Sequence, residues 1–237
     1  MAILTQTEIV EQRSKGFIQI EPFNIANLNP NSYDLTLFNE LQIYKHSPLD
    51  PKNVDTFETR TIIIPEDGLL LEAGKCYLAR TNEYTITEQY VPTLHGKSGI
   101  GRMFLSVAAT AGYGDIGFAG YWTLQLIPSI DIIVYPNMKI CQIQYETTEG
   151  LIRHKYTGSY QNSDFIVPSR IYNDFGGGGR NNKTIKWDKD GTIKKKLDKI
   201  TKEKDVIVTP PESEVAMISK KYGSKKSKTN KKLSSNN

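Results

Sequence analysis

Residues 121–145 read YWTLQLIPSIDIIVYPNMKICQIQY. Three short apolar or alternating runs, 121–127, 130–135 and 138–145, are cut apart by Pro128-Ser129 and Pro136-Asn137. Short runs bounded by turn residues are the pattern of β-strands. The same signal recurs outward from this stretch at 33–37, 41–44, 61–64, 76–81 and 84–87, mostly separated by Gly, Pro, Asn or Asp. Many short strands with turn chemistry between them predict a sandwich or barrel, not a βαβ sheet. No internal repeat redirects this to a solenoid or propeller.

At the N-terminal side, Thr5 with Glu8 three residues later forms a capping-box pattern and predicts a short helix over 5–15. Phe17, Ile18, Ile20 and Phe23 follow as a β-like stretch, stopped by Pro22 and the turn around Asn29-Pro30-Asn31. The interior segment 100–110 is densely apolar and free of Pro, which makes it a helix candidate, although periodicity alone does not decide it. Four consecutive glycines at 176–179 mark a break in composition. This divides the chain into a folded domain, 1–175, and a Gly-rich linker with a basic tail, 176–237.

The 237 residues are 38% hydrophobic and 24% charged, ordinary for a globular protein with a polar appendage. The net charge of +4 conceals a split: residues 181–237 hold 16 Lys against 7 Asp or Glu, so the remainder is acidic. A Lys-, Ser- and Asn-rich tail with few large apolar residues is expected to stay disordered from about residue 219. It reads first as a solvated tail, and second as a surface for nucleic acid or an acidic partner. The sequence has no apolar run long enough for a transmembrane helix and no apolar signal core near its start, so the expected location is cytoplasmic, with no membrane contact. Cys76 and Cys141 lie in apolar strand-like runs and are expected to be buried thiols, neither a disulfide nor metal ligands.

The chemistry is narrowed by what is missing. A zinc-dependent base deaminase needs His or Cys plus a Cys pair around its metal, with an adjacent Glu moving protons. Here there is no Cys-x-x-Cys pair, and His46, His95 and His154 are scattered without a His-x-Glu motif. A Walker A loop and a dinucleotide fingerprint are likewise absent. What is present is Gly96-Lys97-Ser98-Gly99-Ile100-Gly101-Arg102, which puts glycines, a hydroxyl and two cations within seven residues. That composition suits the approach of backbone N–H groups and positive charge to phosphates. A second polar loop, Ala109-Thr110-Ala111-Gly112-Tyr113-Gly114-Asp115-Ile116-Gly117-Phe118-Ala119-Gly120, carries one acid and feeds the strand at 121–127.

With these motifs in this order, the sequence resembles the dCTP deaminase family, which shares its fold with trimeric dUTPases. The resemblance runs from Ile3 to about Phe175. Its carriers are Ile3-Leu4-Thr5, Asn29-Pro30-Asn31-Ser32-Tyr33-Asp34-Leu35, Leu71-Glu72-Ala73-Gly74 before Tyr77-Leu78-Ala79, and Thr81 with Glu83. The two glycine-containing loops, Pro136-Asn137-Met138-Lys139-Ile140 with Gln142, and Tyr160-Gln161 before Pro168-Ser169-Arg170 complete the set.

The resemblance implies an all-β fold with minor helix, a distorted barrel of the dUTPase-like (β-clip) type, assembled as a homotrimer with sites between subunits. It implies dCTP or dUTP as the bound nucleotide, with Mg²⁺ carried on the triphosphate and no metal held by protein side chains alone. Lys97, Ser98 and Arg102 fall where the family contacts the triphosphate and holds the attacking water. Asp115 falls on the sugar-contacting acid, which activates water in the dUTPase branch. Gly99 replaces a usual Ser. Nucleotide contacts are further implied for Ile100, Gly101, Thr123, Leu124, Gln125, Gln142, Tyr156 and Tyr160.

Two further departures from the family pattern lie at position 125 and in the closing segment. Gln125 stands where the family carries the Glu that acts as general base on the water attacking C4 of cytosine, and an amide cannot take that proton. Ser98, Arg102, Asp115 and Gln125 are therefore the implied catalytic set, with deamination opposed at its base. In the segment that closes over the nucleotide, Ser159 and Ser163 replace a Lys and a Gln, leaving Lys155 or Arg170 to compensate at the phosphates. Three outcomes follow: dCTP deamination to dUTP, dUTP diphosphatase action through Asp115, or a non-catalytic nucleotide-binding or interaction protein.

Overall fold

Thr5 caps the first helix as its spacing predicts: its Oγ1 accepts the Glu8 N–H at 3.4 Å, and α1 spans Gln6–Ser14. The chain then builds twelve strands: β1 (Ile18–Glu21), β2 (Leu28–Asn29), β3 (Ser32–Thr36), β4 (Glu40–Tyr44), β5 (Thr59–Ile63) and β6 (Leu69–Leu71). They continue as β7 (Tyr77–Thr87), β8 (Val91–Gly96), β9 (Leu105–Val107), β10 (Ala119–Pro128), β11 (Ile132–Val134) and β12 (Lys139–Glu146). A one-turn helix, α2 (Ser98–Arg102), sits between β8 and β9. The structure, a computed structural model, describes residues 2–107 and 111–175. The linker at 176–179 and the basic tail lie outside the described residues.

All strand pairs are antiparallel. The largest sheet runs β5-β4-β7-β10-β9, with β1 also on β7; a second runs β2-β3-β12-β8, and β6 pairs β11. One core of buried side chains, among them Ile18, Ile20, Tyr33, Leu35, Leu41, Leu124, Leu126, Ile143 and Tyr145, lies between the sheets. The all-β expectation with minor helix holds.

Strand β7 corrects one expectation. The runs 76–81 and 84–87 are a single strand, because Glu83, which breaks the apolar pattern, points inward. It is 2% exposed, and its carboxylate accepts the Thr36 N–H and hydroxyl, each at 2.8 Å. Thr81, Thr85 and Thr87 face the same side and are also bonded: Thr85 Oγ1, for example, accepts the Trp122 indole N–H at 2.8 Å. Buried polar groups are tolerated when each finds a partner, since an unpaired one costs about 1–3 kcal/mol.

The helix candidate at 100–110 is also corrected. The helix ends at Arg102, Phe104 takes a left-handed backbone (φ 60°), and Leu105 and Val107 become the inward residues of β9. Pairing of β9 with β10 buries these two residues on alternate positions, which a continued helix would not do. Residues 108–110 lie outside the described set. Cys141 is buried as expected, whereas Cys76 is exposed, because it sits in the turn before β7.

Strand β8 went unread because it contains Pro92, which a central strand would not accept. It is an edge strand of the second sheet, and its free edge takes up the segment that leads to Asp115: Leu94 N–H donates to Gly112, and Gly114 N–H donates to Pro92 at 2.9 Å.

Candidate active site

Strand alternation on β10 separates core from site. Leu124 and Leu126 are buried on one face, and Tyr121, Thr123, Gln125 and Ile127 line a cavity of about 500 Å³ on the other, which the buried Trp122 also borders. Asp115, Phe118, Tyr156 and Tyr160 line the same cavity, so the structure gathers Asp115, Thr123, Gln125, Tyr156 and Tyr160 of the expected residues in one place. Leu124 is wholly buried on the opposite face, and only its backbone can reach a nucleotide.

The cavity wall is completed by the segment after β12, which runs back along β10. Tyr121 N–H donates to Ser163 at 2.9 Å, Asn162 N–H donates to Ala119 at 2.8 Å, and Thr123 Oγ1 accepts the Val167 N–H at 3.1 Å. The Gln161 side chain is committed to the Asp115 loop: its Nε2 donates to Gly117 at 2.7 Å, and its Oε1 accepts the Ala119 N–H at 3.1 Å. Gly117 has φ +89°, and a Cβ there would meet Lys155 Cβ at 2.3 Å, so the loop and the segment meet only because glycine stands at this position.

Lys155 pairs with Glu88, and Arg170 donates to the Ser159 carbonyl. Both cations that were expected to compensate at the phosphates thus serve the protein's own contacts. Ser169 N–H donates to Tyr44 Oη at 2.9 Å, joining the segment to the end of β4. Burial pushes the Tyr44 and Tyr156 hydroxyls above their ordinary 10.0, so both stay protonated near neutrality.

Polar groups in this cavity are few. Gln125 Oε1 is buried, and among the described residues neither end of its amide makes a hydrogen bond. The Asp115 side chain is exposed and likewise has no partner among them. Both ends of the Gln125 amide and the Asp115 carboxylate therefore remain for a ligand.

The expected phosphate residues lie elsewhere. Gly96, Lys97, Ser98, Gly101 and Gln142 line a second, open cavity together with Asn29, Asn31 and Ser32, and the two cavities share no residue. Lys97 Nζ is 2.5 Å from Asp34 Oδ1, and Lys139 Nζ is 3.2 Å from Asp34 Oδ2, where the Asp34 side chain is only 4% exposed. Gln142 braces the loop: its Nε2 donates to Gly96 at 3.2 Å, and its Oε1 accepts the Ser32 hydroxyl at 2.9 Å. Ser98, Gly99 and Arg102 are exposed, while the Ile100 side chain is in the core, so its contact with a ligand is limited to backbone.

Ser163 of the closing segment also lines the first cavity, as do Tyr44, Cys76, Leu78, Tyr113, Tyr121 and Val167, which sequence reading did not assign to the site. Alternation marked Tyr121 as sharing a face with Gln125. Nothing in the sequence linked Tyr44 or Val167 to that face.

Comparisons with known proteins bear on the family. A family model described as dCTP deaminase-like matches residues 3–148. A protein named "dCTP deaminase, dUMP-forming" from Clostridium botulinum (strain Alaska E43 / Type E3) is 52% identical over 173 residues, covering 73% of this chain and 98% of its own. A protein of the same name from Cytophaga hutchinsonii is 49% identical over 173 residues, with the same coverage. Among solved structures, the 2'-deoxycytidine 5'-triphosphate deaminase from Agrobacterium tumefaciens aligns with a TM-score of 0.51 at 19% identity, over 64% of this chain and half of that one, a likeness of fold alone. With a family match across most of the described domain, and relatives near half identity along almost their whole length, this chain belongs to the dCTP deaminase-like family.

Proposed function

We propose that this chain binds a deoxypyrimidine triphosphate and hydrolyses it between the α- and β-phosphates, as a dUTP diphosphatase that has lost the deamination step. Forming dUMP from dCTP, as the relatives' name states, requires two losses, ammonia from C4 and diphosphate from the α-phosphorus. The carrying observation is the pair of groups in the β10 cavity: an amide at 125 that cannot act as base, and an unpartnered carboxylate at 115 that can. Asp115 takes a proton from water, the water oxygen attacks the α-phosphorus, and diphosphate leaves. Ser98 and Arg102 stabilise the charge that develops on the phosphate oxygens.

Because Ser98 borders a different cavity from Asp115, and Arg102 ends the one-turn helix that Ser98 begins, the site is read as assembled between copies of the chain, in keeping with the trimer that the resemblance implies. The donor set fits Mg²⁺ carried by phosphate oxygens, since Asp34 is already taken up by Lys97 and Lys139. Bound in that way, the ion neutralises phosphate charge.

Incubation with dUTP and Mg²⁺, with products resolved by chromatography, tests the reading: dUMP and diphosphate are expected, and an absence of both rejects it. A second reading, deamination of dCTP, is favoured by the relatives' name and opposed by Gln125; dUTP or dUMP formed from dCTP selects it. Saturable nucleotide binding without any product selects a binding protein.

A further inference from the structure

We propose that the same site hydrolyses dCTP as well as dUTP, releasing dCMP with its amine intact. This rests on the phosphate chemistry proposed above and follows from the surroundings of Gln125. A carboxylate at this position offers only acceptors; it suits the N4 amine of cytosine and opposes the O4 oxygen of uracil. An amide offers one donor and one acceptor.

Cytosine presents a donor at N4 and an acceptor at N3; uracil presents an acceptor at O4 and a donor at N3. The two edges are the same pattern reversed, so turning the amide over by half a rotation matches either one. What decides whether it can turn is the protein around it. Neither amide end is hydrogen-bonded to the described protein, and the residue facing Gln125 across the strand pair is Leu78. Its same-face neighbours on β10 are Ile127, which is apolar, and Thr123, whose oxygen already accepts the Val167 N–H.

Among the described residues no hydrogen bond holds the amide in one orientation, and the terminal torsion of a Gln side chain is broad and roughly two-fold. The bound base therefore sets the orientation, and the site accepts both bases. The reaction on dCTP is the one already written: water adds to the α-phosphorus, the bond to the bridging oxygen breaks, and Asp115 receives the proton. The C4 amine takes no part.

The test is kcat/KM for dCTP and for dUTP with the intact protein and Mg²⁺, with dCMP, dUMP and dUTP resolved by chromatography. Formation of dCMP with kcat/KM within about a hundredfold of that for dUTP is expected, since a site that fixes its hydrogen-bond pattern rejects the mismatched ligand by about 10⁴ or more. Hydrolysis of dUTP with dCTP more than about a hundredfold poorer overturns the inference and leaves the diphosphatase reading standing. Hydrolysis of neither nucleotide overturns both, and dUTP or dUMP formed from dCTP overturns the inference because the amine has then been removed. Gln125→Met, which keeps the length and removes both polar ends, is expected to lower kcat/KM for both nucleotides; a loss confined to one of them counts against the reversible amide.

Discussion

Gln125 faces Leu78 across the β10–β7 pair, and its amide oxygen is buried with no donor among the described residues. A group held in this way has no structural duty that would explain its burial. An unpaired buried acceptor costs about 1–3 kcal/mol, which a donor on a bound base would remove. In the proposed function, position 125 is the point at which catalysis and recognition separate.

Replacing Gln125 with Glu restores an acceptor that can take a proton. Deamination of dCTP is expected to appear or to rise by about 10²–10⁴. Ammonia release, followed with a coupled assay, checks this. No gain with nucleotide binding preserved would mean that the base cavity has diverged beyond this one residue.

Asp115 and Ser98 border different cavities, and Arg102 ends the one-turn helix that Ser98 begins, so the losses of Asp115 and Arg102 should complement each other. Asp115→Asn and Arg102→Ala are each expected to reduce dUTP hydrolysis by at least about a hundredfold, and both side chains are exposed, so the fold should survive. When the two variants are unfolded together and refolded as mixed assemblies, about a quarter of the sites regain both native groups if each site spans two copies. Recovery of activity near that level is expected, and none at all would locate both residues in one chain's own site.

Gly117 is where the Asp115 loop meets the segment that walls the cavity. Gly117→Ala adds a Cβ at 2.3 Å from Lys155 Cβ on a backbone with φ +89°. Destabilisation of about 1–3 kcal/mol is expected, with faster amide exchange along 156–163. Chemical denaturation and hydrogen exchange measure both, and an unchanged midpoint would show that the loop yields.

Glu83 provides a pH signature. Burial raises its carboxyl above the ordinary 4.5 despite the Thr36 hydrogen bonds, which act in the opposite direction. The folded state therefore binds the proton more tightly than the unfolded chain does. Relative to Glu83→Gln, the native protein is expected to be most stable below 4.5, to lose ground as pH rises through the raised folded value, and to level off above it. Denaturation midpoints of the two proteins across that window check the prediction, and a constant difference would refute it.

Much of this molecule could be read from residue order alone. Runs at two-residue periodicity with Pro, Asn and Gly between them determined an all-β domain, Thr5 and Glu8 determined the first helix start, and the ordered loops around Ser98 and Asp115 determined the family. The presence of an amide at position 125 needed no coordinates. What only the tertiary structure decided is who stands beside whom. Lys97 meets Asp34 from 63 residues away, Val167 reaches Thr123 across 44, and the inward Glu83 is tolerated because β3 brings Thr36 to it. Periodicity fixes which face of a strand a side chain takes, but the partners on that face come from strand pairing between distant segments, and a polar residue's burial depends on whether such a partner arrives.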